Sequence, residues 1–217
     1  MEKETLYNIW KQKYAAAKAT MQSRGAKNTV LIEIAAQHPL IHGEEPNEEF
    51  EKRLMLGVRL YKEIIEKKSV YFYVPGSRHM DNGVADKISL SEAGKRFLIA
   101  KGIPENVIFA DDMNTKFKGA SGVYNSTDEC FVSGKIFDDI GAGELHCVYS
   151  SGQMMRKVLS YIHFGYVPYM HTISCDVMYH DYIDEIFKYI PILLEDKDAL
   201  QGNSEEADRL RKLRKPE

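Results

Sequence analysis

The stretch from Glu144 to Gly165 restricts the fold more than any other. Leu145 to Tyr149 is a short β-prone run just after the breaker Gly141-Ala142-Gly143, and Ser150-Ser151-Gly152 has turn chemistry. From Gln153 the apolar residues Met154, Met155, Val158, Leu159 and Ile162 recur at helical spacing, and Gly165 stands where a helix would stop. The unit therefore reads strand, tight small-residue turn, helix. In a parallel α/β sheet such a turn lies at the carboxyl edge of its strand, where free N–H groups at the helix start can face a bound anion.

The same order recurs upstream. Residues 4–24 form an amphipathic pattern with Leu6, Ile9, Trp10 and Tyr14 on one face and Gly25 as a stop. It predicts a helix packed on the sheet edge, with a dimer contact or a ligand lid as open alternatives. Thr29–Ala36 is nearly continuous apolar, as a strand covered on both faces requires. Asn47 then caps a helix with Glu48 and Glu49 in its first turn and Phe50, Leu54, Val58, Tyr61 and Ile65 as its buried stripe. Val70–Val74 is the second strand, and the polar loop Pro75–Gly83 after it is long enough to suggest a binding role. Ser89-Leu-Ser-Glu92 has capping-box spacing and starts a helix that ends at Lys101-Gly102. A third strand at Val107–Ala110 leads into a second long loop, Asp111–Val123. Ser126-Thr127-Asp128-Glu129 opens the next helix with the same spacing, Tyr166–Ile173 supplies strand five, and Asp181–Leu194 is a last amphipathic helix.

Five strands alternating with helices predict a Rossmann-like, doubly wound, mainly parallel α/β sheet. The expected divisions are 1–28 as a packed N-terminal helix, 29–195 as the α/β domain, and 196–217 as a charged tail. A 217-residue chain with 44% hydrophobic content suits one sizeable core. The formal net charge of −3 disfavours a nucleic-acid surface, despite the Arg209–Lys215 cluster in the tail. Three widely spaced cysteines form no disulfide framework, and no apolar run reaches the ~18 residues of a membrane span. The N-terminus carries no secretory apolar core, so the expectation is a cytoplasmic protein.

In this order the motifs resemble the DUF218 family, the YdcF/SanA/ElyC-like proteins. The matching positions are Arg53, Gly76, Ser91-Glu92-Ala93, Gly102-Ile103-Pro104, Thr127-Asp128-Glu129 and Ser150-Ser-Gly-Gln-Met-Met-Arg156, spread over roughly 29–175. The resemblance implies a Rossmann-type domain that binds a nucleotide-like ligand, S-adenosylmethionine among the candidates, and a link to cell-envelope processes. Three positions depart from the family pattern. Ala35-Ala36-Gln37-His38 replaces a glycine-rich turn, Cys130 stands at an asparagine position, and Gln153 stands at a histidine position. Glutamine hydrogen-bonds but does not shuttle protons near neutral pH, so an acid/base role for that histidine does not carry over.

With strand order three-two-one-four-five, a crevice opens outside the carboxyl ends of strands one and four. The expected ligand-binding residues there are Gln37, Arg53, Gly76, Ser77, Glu92, Thr127, Ser150, Ser151 and Gln153. Glu129 as base and Arg156 as anion stabiliser are the expected catalytic pair of a transferase or hydrolase. Each also has a plain structural reading: Glu92 and Glu129 close capping boxes, Arg53 bridges to Glu49, and Arg156 pairs with Glu129. No His-Glu-x-x-His spacing and no Gly-x-Ser-x-Gly elbow occurs, and Asp111-Asp112 is the weak candidate for a metal. Three function classes remain open at this point: a binder of an anionic metabolite, an enzyme acting on it, and an interaction protein with a vestigial crevice.

Overall fold

A computed structural model describes residues 3–25, 27–36, 39–78, 80–81, 84–111 and 126–174. The main sheet has five strands, all parallel: β1 (Thr29–Ile34), β2 (Ser69–Pro75), β5 (Ile108–Asp111), β6 (Glu144–Ser150) and β7 (Tyr169–Ile173). Their spatial order is β5-β2-β1-β6-β7, which is three-two-one-four-five in chain order. The adjacency of β1 and β6, with Ile32 opposite His146 and Ile34 opposite Val148, puts the point of reversal where the sequence predicts it. Within the loop after β2, Met80–Asp81 (β3) and Val84–Ala85 (β4) form a two-residue antiparallel pair.

Alternation along the strands divides the interior into two cores. Val30, Ile32 and Ile34 join Val70, Phe72 and Val74 beneath helices α2 (Glu48–Ile64) and α3 (Leu90–Ala100). On the other face Leu31 and Ala35 join Leu145, Cys147 and Tyr149 beneath α4 (Ser126–Asp139) and α5 (Met154–His163). The helix α1 (Lys3–Ser23) packs on the α5 side, burying Ala17 and resting Met21 on that second core.

Local chemistry sets the boundaries. Asn47 caps α2 by accepting from the Phe50 N–H at 2.9 Å, and Ser89 caps α3 by accepting from Glu92 N–H at 3.1 Å. The helix α5 begins one residue later than the periodicity implies, because Ser151–Gln153 winds into a 3-10 turn first. It ends in a left-handed Gly165, φ 83°, where Tyr166 N–H returns to Tyr161 C=O. Two expectations shift. Ile65 is the exposed C-cap of α2 and not part of its buried stripe. Strand β7 starts at Tyr169, since Tyr166 turns inward and donates its hydroxyl to Gly134 C=O at 2.9 Å and to Asp138 at 2.7 Å. The expected final helix and charged tail lie outside the described residues, and no described helix is long and apolar enough to cross a membrane.

Candidate functional site

Two polar assemblies flank the carboxyl ends of β1 and β6, one on each face. On the α2 face Arg53 is wholly buried, an expensive position for a cation unless every donor finds an acceptor. Its Nη1 donates to Ala35 C=O and Ala36 C=O, both at 3.0 Å. Its Nε and Nη2 donate to Ser150 Oγ at 3.0 and 2.7 Å, and Nη2 also pairs with Glu49. Ser150 Oγ in turn donates to Glu49. These contacts use all five guanidinium N–H groups. Arg53 and Ser150 are thus brought together, and the bridge from Arg53 to Glu49 on its own helix is present. The arrangement ties the end of β1 to the end of β6.

On the other face the centre is Lys157, the residue after Arg156 in the first turn of α5. Its ammonium is enclosed, 3.3 Å from Glu33 on β1, in contact with Glu129 on α4, and 4.5 Å from the Tyr149 ring centroid. Glu33 is fully buried, whereas the Glu129 side chain keeps 17% of its surface in solvent. Cys147 Sγ lies 3.9 Å from Glu33 Oε2, and Cys130 Sγ lies 3.9 Å from Lys157 C=O. The Tyr149 hydroxyl is near enough to Glu33 to lower its pKa slightly, yet it forms no hydrogen bond of normal geometry.

Burial pushes the Glu33 carboxyl above its usual range; Lys157 opposes that shift and Glu129 adds to it. Burial alone would lower Lys157, but Glu129 and Glu33 outweigh it and hold the ammonium protonated. The two directions are compatible when Lys157 keeps its charge and Glu33 is the group that yields. Burial also drives both thiols and the Tyr149 phenol well up, so neither cysteine is a ready nucleophile.

The remaining expected residues are distributed as follows. Gln37 and His38 lie outside the described residues. Gly76, φ 135°, sits so close to Leu90 and Ala36 that an added Cβ would meet Leu90 Cβ at 2.8 Å. The Gly76 and Ser77 carbonyls accept from Ser91 and Leu90 N–H, which anchors the start of α3, and Ser77 is buried. Glu92 turns to the surface and pairs with Arg96 at 2.7 Å, so only the Ser89 half of its capping box forms. Thr127 lies in the first turn of α4, and Ser151, Gln153 and Arg156 surround the start of α5 at intermediate burial. That start, from Ser150 to Gln153, has no side-chain cap hydrogen bond.

Lys157, next in sequence to Arg156, meets Glu129. Sequence reasoning missed Lys157 and Glu33, and it read Glu49 only as the partner of Arg53. A signal existed for the first two, since an acid inside Thr-Val-Leu-Ile-Glu-Ile must be buried in a two-sided strand, and Lys157 shares a helix face with buried Tyr161. Among the described residues no group of three or more His, Cys, Asp or Glu converges to hold a metal ion. His146 and His171 instead hydrogen-bond each other at 3.0 Å across β6 and β7. Comparisons of the chain with family models, with curated proteins and with solved structures gave no match.

Proposed function

We propose that this chain is a cytoplasmic, DUF218-like protein that binds a nucleotide-like or otherwise anionic metabolite in the crevice outside β1 and β6. The observation that supports it most is the concentration of buried ionic machinery at that strand edge. Arg53–Glu49–Ser150 lies on one face and Glu33–Lys157–Glu129 on the other, while the uncapped start of α5 opens beside them. Buried charges cost folding free energy, and clusters of perturbed groups gather at working sites more than elsewhere. The donors of Arg53 are spent on the protein itself, so anion recognition falls to the α5 amides and Arg156.

A thermal-shift panel of nucleotides, S-adenosylmethionine and small phosphates tests the reading. A ligand at a hundredfold excess over its dissociation constant adds ~2.7 kcal/mol, or roughly 5–10 °C in a chain of this size. Arg156→Lys should then weaken the ligand that stabilises about ten- to a hundredfold, because lysine lacks the planar fork. A flat panel, together with no small molecule released on denaturing the purified protein, overturns the proposal.

A second reading, a transferase or hydrolase, is favoured by one feature. Two carboxylates share a lysine but occupy different environments, Glu33 sealed and Glu129 reaching solvent, which is how acid and base roles become separated. Turnover of the stabilising ligand, lost in Glu129→Gln with binding retained, would select it.

A further inference from the structure

Glu33 and Glu129 share the one ammonium of Lys157 on the α4/α5 face, so this trio is neutral only when one of the two carboxylates carries a proton. The geometry indicates where that proton sits. Glu129 keeps part of its hydration and is the carboxylate in closest contact with Lys157. Glu33 has no exposure and a longer 3.3 Å contact to the same ammonium. An ionised carboxylate without water recruits several strong donors. Glu33 has one distant ammonium on Oε1 and one weak thiol donor, Cys147 Sγ at 3.9 Å, on Oε2.

Besides Lys157, the Tyr149 hydroxyl is the group facing Glu33 that favours its charged form, and it completes no hydrogen bond of normal geometry. The neighbours of Glu33 across the sheet are Tyr73 on β2 and Cys147 on β6. From α4 come Glu129, which repels a second negative charge, and the buried thiol Cys130. One turn along the seam, Ser133 Oγ and Tyr161 Oη are buried without a hydrogen-bond partner, and Tyr149 Oη completes none.

We propose that Glu33 is a neutral carboxylic acid in the resting protein and serves as a positioning residue, leaving the charge of Lys157 to Glu129, the carboxylate that reaches the crevice. This deepens the reading of Glu129 as a site residue and rests on it. Anything that ionises Glu33 draws Lys157 back and releases Glu129, so the ion pair at the crevice is set from inside the core.

The test uses ligand-free full-length protein carrying 13C at glutamate side-chain carboxyls, so its outcome is separate from any failure to bind a ligand. At neutral pH the wild type should show a glutamate carboxyl resonance at the protonated position. Glu33→Gln should remove that resonance, and through-bond correlation in the wild type should assign it to Glu33. Because glutamine is the neutral isostere, Glu33→Gln should also leave the Glu129 resonance unmoved. A wild-type spectrum with every glutamate ionised at neutral pH overturns the proposal, and so does a protonated signal that survives Glu33→Gln. If Glu33→Gln does not fold, the wild-type spectrum decides by itself: correlation of the protonated carboxyl to the Glu33 backbone sustains the proposal, and its correlation to any other glutamate overturns it.

Discussion

Replacing Lys157 with methionine tests most directly how the α4/α5 face is held together. The side chain is buried, and methionine preserves its length and flexibility while removing the charge. The ammonium lies 3.3 Å from Glu33 Oε1 and in contact with Glu129 Oε2. With an effective dielectric near 20, one such contact at that distance is worth ~5 kcal/mol of Coulomb energy before desolvation is subtracted. Removing one partner of a buried pair costs about 3–5 kcal/mol, because the charge left behind has neither partner nor water. Here Glu33 can stay protonated and Glu129 can turn to solvent, which places the expected loss near the lower end, about 3 kcal/mol. In a chain of this length that is a fall of roughly 6–12 °C in Tm. Urea denaturation should show a lower midpoint with an unchanged slope, since the surface exposed on unfolding is the same. The double variant Lys157→Met with Glu129→Gln should recover a large part of the loss, because it removes the stranded charge and leaves a neutral seam. A loss below ~1 kcal/mol in the single variant, or no recovery in the double, would refute a shared ammonium as the organiser of this face.

Three further outcomes follow from other parts of the molecule. Arg53→Lys keeps the charge but replaces five donors by three in a different geometry, so at least one of Ala35 C=O, Ala36 C=O, Ser150 Oγ and Glu49 loses its contact; urea titration should register a loss of about 2–4 kcal/mol, and a loss under ~1 kcal/mol would remove the clamp. Glu33, with its folded-state pKa raised by burial, binds its proton more tightly folded than unfolded, so its contribution is full below the unfolded value of 4.5 and is lost as pH rises above it. The loss accrues at up to ~1.4 kcal/mol per pH unit until the folded pKa is reached, and the wild type minus Glu33→Gln difference in stability should decline over that window. Gly134→Ala should destabilise by about 1–3 kcal/mol in thermal unfolding, because its Cβ would lie 2.5 Å from the Tyr166 ring that the Gly134 carbonyl holds in place.

The course of the chain was legible because it rests on local rules. The apolar run at β1, the serine and asparagine caps and Gly165 each act within a few residues of themselves, and the alternation of strands with helices implies the parallel sheet. Boundaries that depend on distant partners were less legible. Tyr166 reads as strand by propensity, yet its hydroxyl is claimed by Gly134 and Asp138 one helix away, and β7 begins three residues later. Ile65 continues the α2 stripe in sequence, but the helix has ended and nothing is there to cover it.

The site follows the same division. Arg53 and Ser150 are visible as polar residues in suggestive places, but only the fold reveals that they satisfy each other across 97 positions of chain. Motif spacing directs attention to Arg156, whereas burial selects Lys157, because a helix presents its N-terminal turn to the sheet on one side only. A stronger reading of the sequence was available from cost. In a strand covered on both faces, Glu33 has nowhere to go but inside, and a buried acid demands either a cation or a proton. Lys157 recurs with Tyr161 at i+4 on the inner stripe of α5, so a cation was present to meet it. With two acids against one ammonium, neutrality then needs the proton as well. The residue that departs from the hydrophobic pattern is therefore the better guide to this strand edge than the residues that fit a motif. Pattern residues are explained by folding alone, and a charge inside the sheet is not.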